Sequence, residues 1–109
     1  MVDTILQAAG LPCWPAQCDN PPPDTYALYF DDVEVDGSDG LEVMTLRHGC
    51  MVEIYAPTKK AAAKAEAALE AQMIVSKIPW VKQAMYWLKD IKRYQTIYEF
   101  DFIETRRAN

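Results

Sequence analysis

Long apolar runs are missing from this chain. Half of its 109 residues are hydrophobic, yet no uninterrupted apolar stretch exceeds five residues, Ala84–Leu88 being one such run. Crossing a bilayer as a helix takes roughly 20. The first residues lack the basic start and apolar stretch of a secretion signal, so the expectation is a soluble chain, intracellular at synthesis and without a membrane partner. Histidine is nearly absent: His48 stands alone, and no Gly-x-Ser-x-Gly occurs, which removes the usual setting of a Ser-His-acid triad. A Cys50/His48 dyad would require two residues of one strand to aim at the same substrate atom. The four glycines, at positions 10, 37, 40 and 49, are too scattered to form a phosphate-cradling loop. On these grounds the chain is expected not to be an enzyme and to carry no cofactor.

Cysteine is sparse and odd in number: Cys13, Cys18 and Cys50. Free reduced thiols are the default without a secretion signal. Cys13-x4-Cys18 with His48-x-Cys50 would make a four-ligand zinc set, but the first pair sits among prolines and isolated cysteines usually serve as small buried hydrophobes. Asp32-x-Glu34-x-Asp36-Gly37 looks like the opening of a calcium loop. It fails at the twelfth position, where Val43 replaces the bidentate acid, and it reads better as a solvated hairpin tip. No metal is therefore expected.

What the chain does have is room for one core. A chain of this length buries roughly 65% of the surface its unfolded form exposes, which supports a single domain over residues 1–109. Its net charge of −5 is unevenly placed, with residues 1–57 at −9 and residues 58–109 at +4. General duplex binding is disfavoured, because counterion release requires a basic face. Such a distribution fits either an ordinary mixed surface or a subunit with complementary faces that meets copies of itself.

Asp3 to Gly10 reads as a short helix, with Asp3 placed to cap it and Gly10 to end it. Leu11 to Asp24 contains five prolines and reads as an extended connector. Tyr26, Leu28 and Phe30 alternate with Ala27 and Tyr29 in a strand running to about Val33, and Asp36-Gly37 and Asp39-Gly40 suit tight hairpin turns. A second strand covers Leu41–Leu46. Arg47-His48-Gly49 marks a bulge or bend before Cys50–Tyr55 continues extended, with Cys50, Val52 and Ile54 toward the core. Thr58 can cap a long alanine-rich helix running to about Val75, whose Ala62, Ala65, Leu69 and Met73 share one narrow face that suits close packing on a sheet. An extended segment follows from Pro79 to Leu88. Tyr94, Thr96, Tyr98, Phe100 and Phe102 then alternate with Gln95, Ile97, Glu99, Asp101 and Ile103 in a final strand with an aromatic core face. Thr105–Asn109 reads as a mobile tail.

The expected fold is thus α+β, an antiparallel sheet of four to five strands covered on one face by the long helix, with the short N-terminal helix beside it. Carboxylate pairs such as Asp31/Asp32 and Glu99/Asp101 read as solvated face. Among the aromatics most belong to the core, but Trp80, Tyr86 and Trp87 fall on alternating faces, so at least one is expected at the surface as an interface anchor.

Three segments together resemble a known family. They are Tyr26-Ala27-Leu28-Tyr29-Phe30 after a proline-rich lead-in and before an acidic Asp-Gly hairpin; Val52-Glu53-Ile54-Tyr55-Ala56-Pro57-Thr58-Lys59-Lys60, like an "ELYT-K-K" strand end entering a helix; and Tyr94-Gln95-Thr96-Ile97-Tyr98-Glu99-Phe100, close to a terminal "LYQVIYEFE". The chain resembles the tail completion, or tail-to-head joining, proteins of long-tailed bacteriophages, also called tail terminators. The likeness covers residues 24 to 105, leaving 1–23 as helix and connector and 106–109 as tail. It departs from the family in its alanine-rich helix and in Cys13-x4-Cys18.

The resemblance implies a virion subunit, assembled in the host cytoplasm, that forms a homo-oligomeric ring, usually a hexamer, on the tail tube and joins the tail to the head connector. Its partners would be itself, the tail tube protein and the head completion protein, with DNA passing through the lumen without specific binding. Asp32, Glu34, Asp36 and Asp39 would then line the lumen and repel the DNA backbone. A small non-enzymatic binding module or a tail assembly chaperone is the competing expectation.

Overall fold

The computed structural model describes residues 2–39 and 43–107, the side chains of Asp36, Ser38 and Asp39 excepted. Helix α1 spans Val2–Ala8 and buries Val2, Ile5 and Leu6. Gly10 at φ 76° ends it, a left-handed position that costs glycine little. Asp3 stands inside the first turn of α1 and not ahead of it as a cap.

The connector departs from expectation. Cys13–Pro15 forms a short strand, β1, which pairs in parallel with β2, the strand Tyr26–Asp39. Ala27 N–H donates to the Pro12 carbonyl and Ala16 N–H to the Tyr29 carbonyl. A proline is tolerated here because β1 lies at the sheet edge, where a missing N–H leaves no ladder bond unmade. Further along, Arg93 donates to the Pro23 carbonyl at 2.9 Å and ties the rest of the connector down.

β2 pairs antiparallel with β3 (Val43–Ala56), and β3 with β6 (Arg93–Arg107). Two short strands, β4 (Val81–Lys82) and β5 (Tyr86–Leu88), share the outer edge of β6. The order is β1-β2-β3-β6-β4, with β5 beside β4 on β6. The sheet is therefore mixed and six-stranded, which corrects the expected antiparallel sheet of four to five strands. Its parallel member is the strand hidden among prolines.

Three finer expectations are also corrected. Arg47-His48-Gly49 is not a bulge, since β3 stays in register through all three residues against both neighbours. The irregularity lies instead between Val35 and Gly37, so Asp36-Gly37 is a bulge inside β2 and not a turn. Thr105, Arg106 and Arg107 are paired in β6 opposite Thr45, Met44 and Val43 and do not belong to a mobile tail. The Gly40 turn position and the start of the second strand at Leu41 and Glu42 lie outside the described residues, as do Ala108 and Asn109.

Helix α2 (Lys59–Val75) matches its sequence signals. Thr58 is its N-cap, the side-chain oxygen accepting from Ala61 N–H at 3.0 Å. Thr58→Ala is expected to lower stability by about 1 kcal/mol and Thr58→Gly by only a few tenths, as read by urea unfolding. Ala62, Ala65, Leu69 and Met73 are all buried, as their spacing predicts. The last three share one core cluster with Val52 and Ile54 of β3, Tyr98 and Phe100 of β6, and Ile5 and Leu6 of α1.

A polar seam fixes α2 to the sheet. Glu66 accepts from Thr96 Oγ1 and from Lys82 Nζ, both at 2.9 Å, and Glu70 accepts from Lys82 at 3.0 Å and from the Tyr98 hydroxyl at 2.6 Å. Glu66 and Thr96 are buried, so each supplies the partner that the other would otherwise lack. Burial opposes the charge on Glu70, but the bonds from Tyr98 and Lys82 outweigh it and hold that carboxyl below its ordinary range.

Length then shapes the molecule. The 17 residues of α2 span about 26 Å and the 14 of β3 about 46 Å. The core cluster ends on the sheet at Cys50 and Phe100, with Phe102 only packed against it. Beyond that line β2, β3 and β6 continue as a three-stranded arm, and the chain measures 50 × 28 × 22 Å.

Candidate functional site

The two faces of the arm follow from the cross-strand register. Successive side chains on a strand point to opposite sides. Asp32, Gly49 and Asp101 align across β2, β3 and β6 on one face, followed outward by Glu34, Arg47 and Ile103; inward lie Phe30, Met51 and Glu99. This face is opposite the one that carries Cys50, Val52 and Ile54 into the core. Asp32, Glu34, Glu99 and Asp101 thus surround a single cation, Arg47, and a shallow hollow of 520 Å³ lies among them. Arg47 Nη1 reaches Asp101 at 3.8 Å with both side chains at least half exposed, a geometry of small energetic worth. Four carboxylates around one guanidinium leave the face net negative.

The expected site residues divide accordingly. Asp32 and Glu34 share the acidic face. Asp36 and Asp39 lie on the backbone of β2, Asp36 at the bulge, and their side chains lie outside the described part of the structure. Glu99 and Asp101 join the face although they were read only as a solvated pair; their alternation on β6 already placed them together, and only the register was lacking. Asp31 and Asp32 separate, Asp31 turning to the core side beside Cys50.

The aromatic set sits elsewhere. Trp80 packs against the core cluster, whereas Tyr86 and Trp87 on β5 remain 59% and 49% exposed. Trp87 leans on Tyr94 with ring centroids 4.7 Å apart. Tyr86 and Trp87 lie far from Asp32, since β5 pairs only with Arg93–Gln95 at the far end of β6, whereas Trp80 borders a hollow that Glu99 and Asp101 also line.

Compared with known proteins, the chain matches no family model and no curated protein. The site must therefore be read from its own geometry. Among the described residues no group of three or more His, Cys, Asp or Glu side chains is arranged to hold a metal ion. Cys13 and Cys50 lie on β1 and β3, with β2 between them. The calcium-like run is stretched along β2, so that Asp32 and Glu34 spread out along one face instead of converging.

One constellation had no counterpart in the sequence reading. His48, expected as a polar strand residue, is buried on the core side of β3 at the root of the arm. Its Nδ1 lies 3.0 Å from both carboxylate oxygens of Asp31 on β2, and its Nε2 lies 2.8 Å from Glu104 on β6. The imidazole stacks on Phe102 at 4.3 Å between centroids and 9° between planes. Cys50 Sγ approaches Asp31 at 3.6 Å, and burial first, then the charge of Asp31, pushes that thiol up to about 12, so it stays protonated and donates.

Proposed function

We propose that the chain is a structural, non-enzymatic virion subunit of a long-tailed bacteriophage, which closes the tail tube as a ring of copies of itself, six in number, and joins the tail to the head connector. One observation supports this reading most. The three segments that carry the resemblance to tail terminators lie side by side: Tyr26, Tyr55 and Gln95 align across β2, β3 and β6, as do Tyr29, Val52 and Tyr98, and Thr58-Lys59-Lys60 opens α2 directly from that sheet. Segments about 70 residues apart in sequence thus form one contiguous unit.

The acidic face suits a surface past which DNA must slide. Carboxylates repel phosphates, so a lumen lined by Asp32, Glu34, Glu99 and Asp101 would not hold the genome in transit. Virion partners follow from this reading: the last disc of the tail tube on one side and the head completion protein on the other.

Deleting the gene from its phage or prophage and imaging the lysate by electron microscopy tests the proposal. Filled heads beside unattached tails of irregular length are the expected result. Normally joined particles would overturn it in favour of a small binding module, and a complete lack of tails would favour an assembly chaperone.

A further inference from the structure

We propose that His48 is a proton-operated clasp: as an imidazolium it ties β2 to β6 across β3, and losing its proton loosens the outer part of the arm. The proposal holds whether or not the chain forms a ring. It begins from a donor count. Both ring nitrogens face carboxylate oxygens at 3.0 Å or less, and an ionised carboxylate can only accept. A neutral imidazole has one N–H, so its second nitrogen would turn a lone pair toward Asp31 or Glu104. Only the imidazolium donates to both.

The surroundings make that difference count. His48 is 6% exposed and lies flat against Phe102, so water reaches the ring nitrogens poorly, while Asp31 and Glu104 keep about a third of their side-chain surface in solvent. The titratable and charged groups around it are Asp31 from β2, Cys50 from its own strand through Asp31, and Glu104 from β6, the last also accepting from Arg106 Nε at 3.0 Å. Val33 opposite His48 and Val35 and Ile103 outward of it are about half exposed or more, although Leu46, next outward on the same face of β3, is buried. No helix lies among the residues that pair there, so side-chain ties between strands matter more than in the body.

Burial alone would lower the His48 pKa, but the bonds to Glu104 and Asp31 and their charges outweigh it and raise it above the ordinary 6.5. The sign follows. A raised folded value makes the clasp's contribution complete below 6.5 and removes it as pH climbs through the raised value. On the acid side Glu104, held low by Arg106 first and then by His48, gives up its part as pH falls through its lowered value. The arm is tightest between these two limits.

Because His48 is the only histidine, its imidazole signals can be followed without assignment ambiguity. The experiment is a long-range 1H–15N titration of the full chain from pH 5 to 10, with amide hydrogen exchange read in parallel. The expected result is an apparent pKa above 6.5, with both ring nitrogens protonated below it, that falls in both Asp31→Asn and Glu104→Gln. Arm amides at residues 31–35, 44–48 and 101–105, corrected for intrinsic rates, should lose protection on crossing that pKa, by about tenfold for each pH unit separating it from 6.5, while residues 52–56 hold theirs. His48→Phe should abolish the pH response of the arm; if that variant does not fold, the two carboxamide variants still decide. A pKa at or below 6.5, or arm protection indifferent to it, overturns the proposal.

Discussion

Replacing Tyr98 with alanine is expected to cost about 3–5 kcal/mol, a large share of the roughly 5–15 kcal/mol that holds a domain of this kind folded. The ring is fully buried in the middle of β6, in one cluster with Leu69 and Met73 of α2 and Val52 of β3, so the cavity left behind opens inside the core. Its hydroxyl adds a second loss. It donates to Glu70 at 2.6 Å, and burial, followed by that bond, raises the phenol far above its ordinary range, so it remains a donor at every practical pH. Tyr98→Phe isolates this loss: about 1.5–3 kcal/mol for a hydrogen bond to a charged acceptor, with the ring retained. The phenylalanine variant also carries a pH signature. Glu70 sits below its ordinary value in the folded chain, so its contribution is present above the unfolded value and is lost as pH falls through the folded one. Without the Tyr98 donor that depression shrinks. The acid limb of a stability-against-pH curve from chemical denaturation should therefore be shallower in Tyr98→Phe than in the natural chain.

How far the sequence foretold this arrangement depended on whether the signal was local. Thr58 and the three- and four-residue steps from Ala62 to Met73 are local, and α2 begins at Lys59 and ends at Val75 as they indicate. The alternation in β6 is local too, and Thr96, Tyr98 and Phe100 are buried as it requires. β1 was not legible, because a three-residue edge strand has no period to detect and its prolines argue only against a helix or a central strand, which leaves the pairing with β2 open. The Asp36-Gly37 turn was misread for a related reason. Asp-Gly suits a turn or a bulge equally well, and pairing of Val35 with Leu46 and of Gly37 with Thr45 carries β2 past Asp36. The candidate sites show the same limit most clearly. His48 is in step with Cys50 and Val52, but the bulge expected at Arg47-His48-Gly49 hid that alternation and with it the burial; its carboxylate partners lie 17 and 56 residues away, and nothing near His48 in sequence announces them.

The acidic face supports the second large effect. Changing Asp32, Glu34, Glu99 and Asp101 together to lysine would turn four carboxylates around Arg47 into a patch of five cations on an exposed, three-stranded surface. All four positions lie on the face away from the core, so the fold should tolerate them with little more than added self-repulsion. For the natural chain, duplex DNA should show no salt-dependent affinity. For the lysine variant, binding should appear at low salt and weaken with a log–log slope near −0.9 for each phosphate contacted, about −4 if every lysine engages one. Fluorescence anisotropy of a labelled duplex across a salt series measures both. The consequence for the proposed ring is a lumen that grips its cargo, so phage carrying the variant should form joined particles that eject DNA slowly or incompletely. Joined particles with normal ejection, made from a variant that binds duplex in solution, would mean that this face does not line the channel; the ring could then stand only with the acidic face directed at a protein partner.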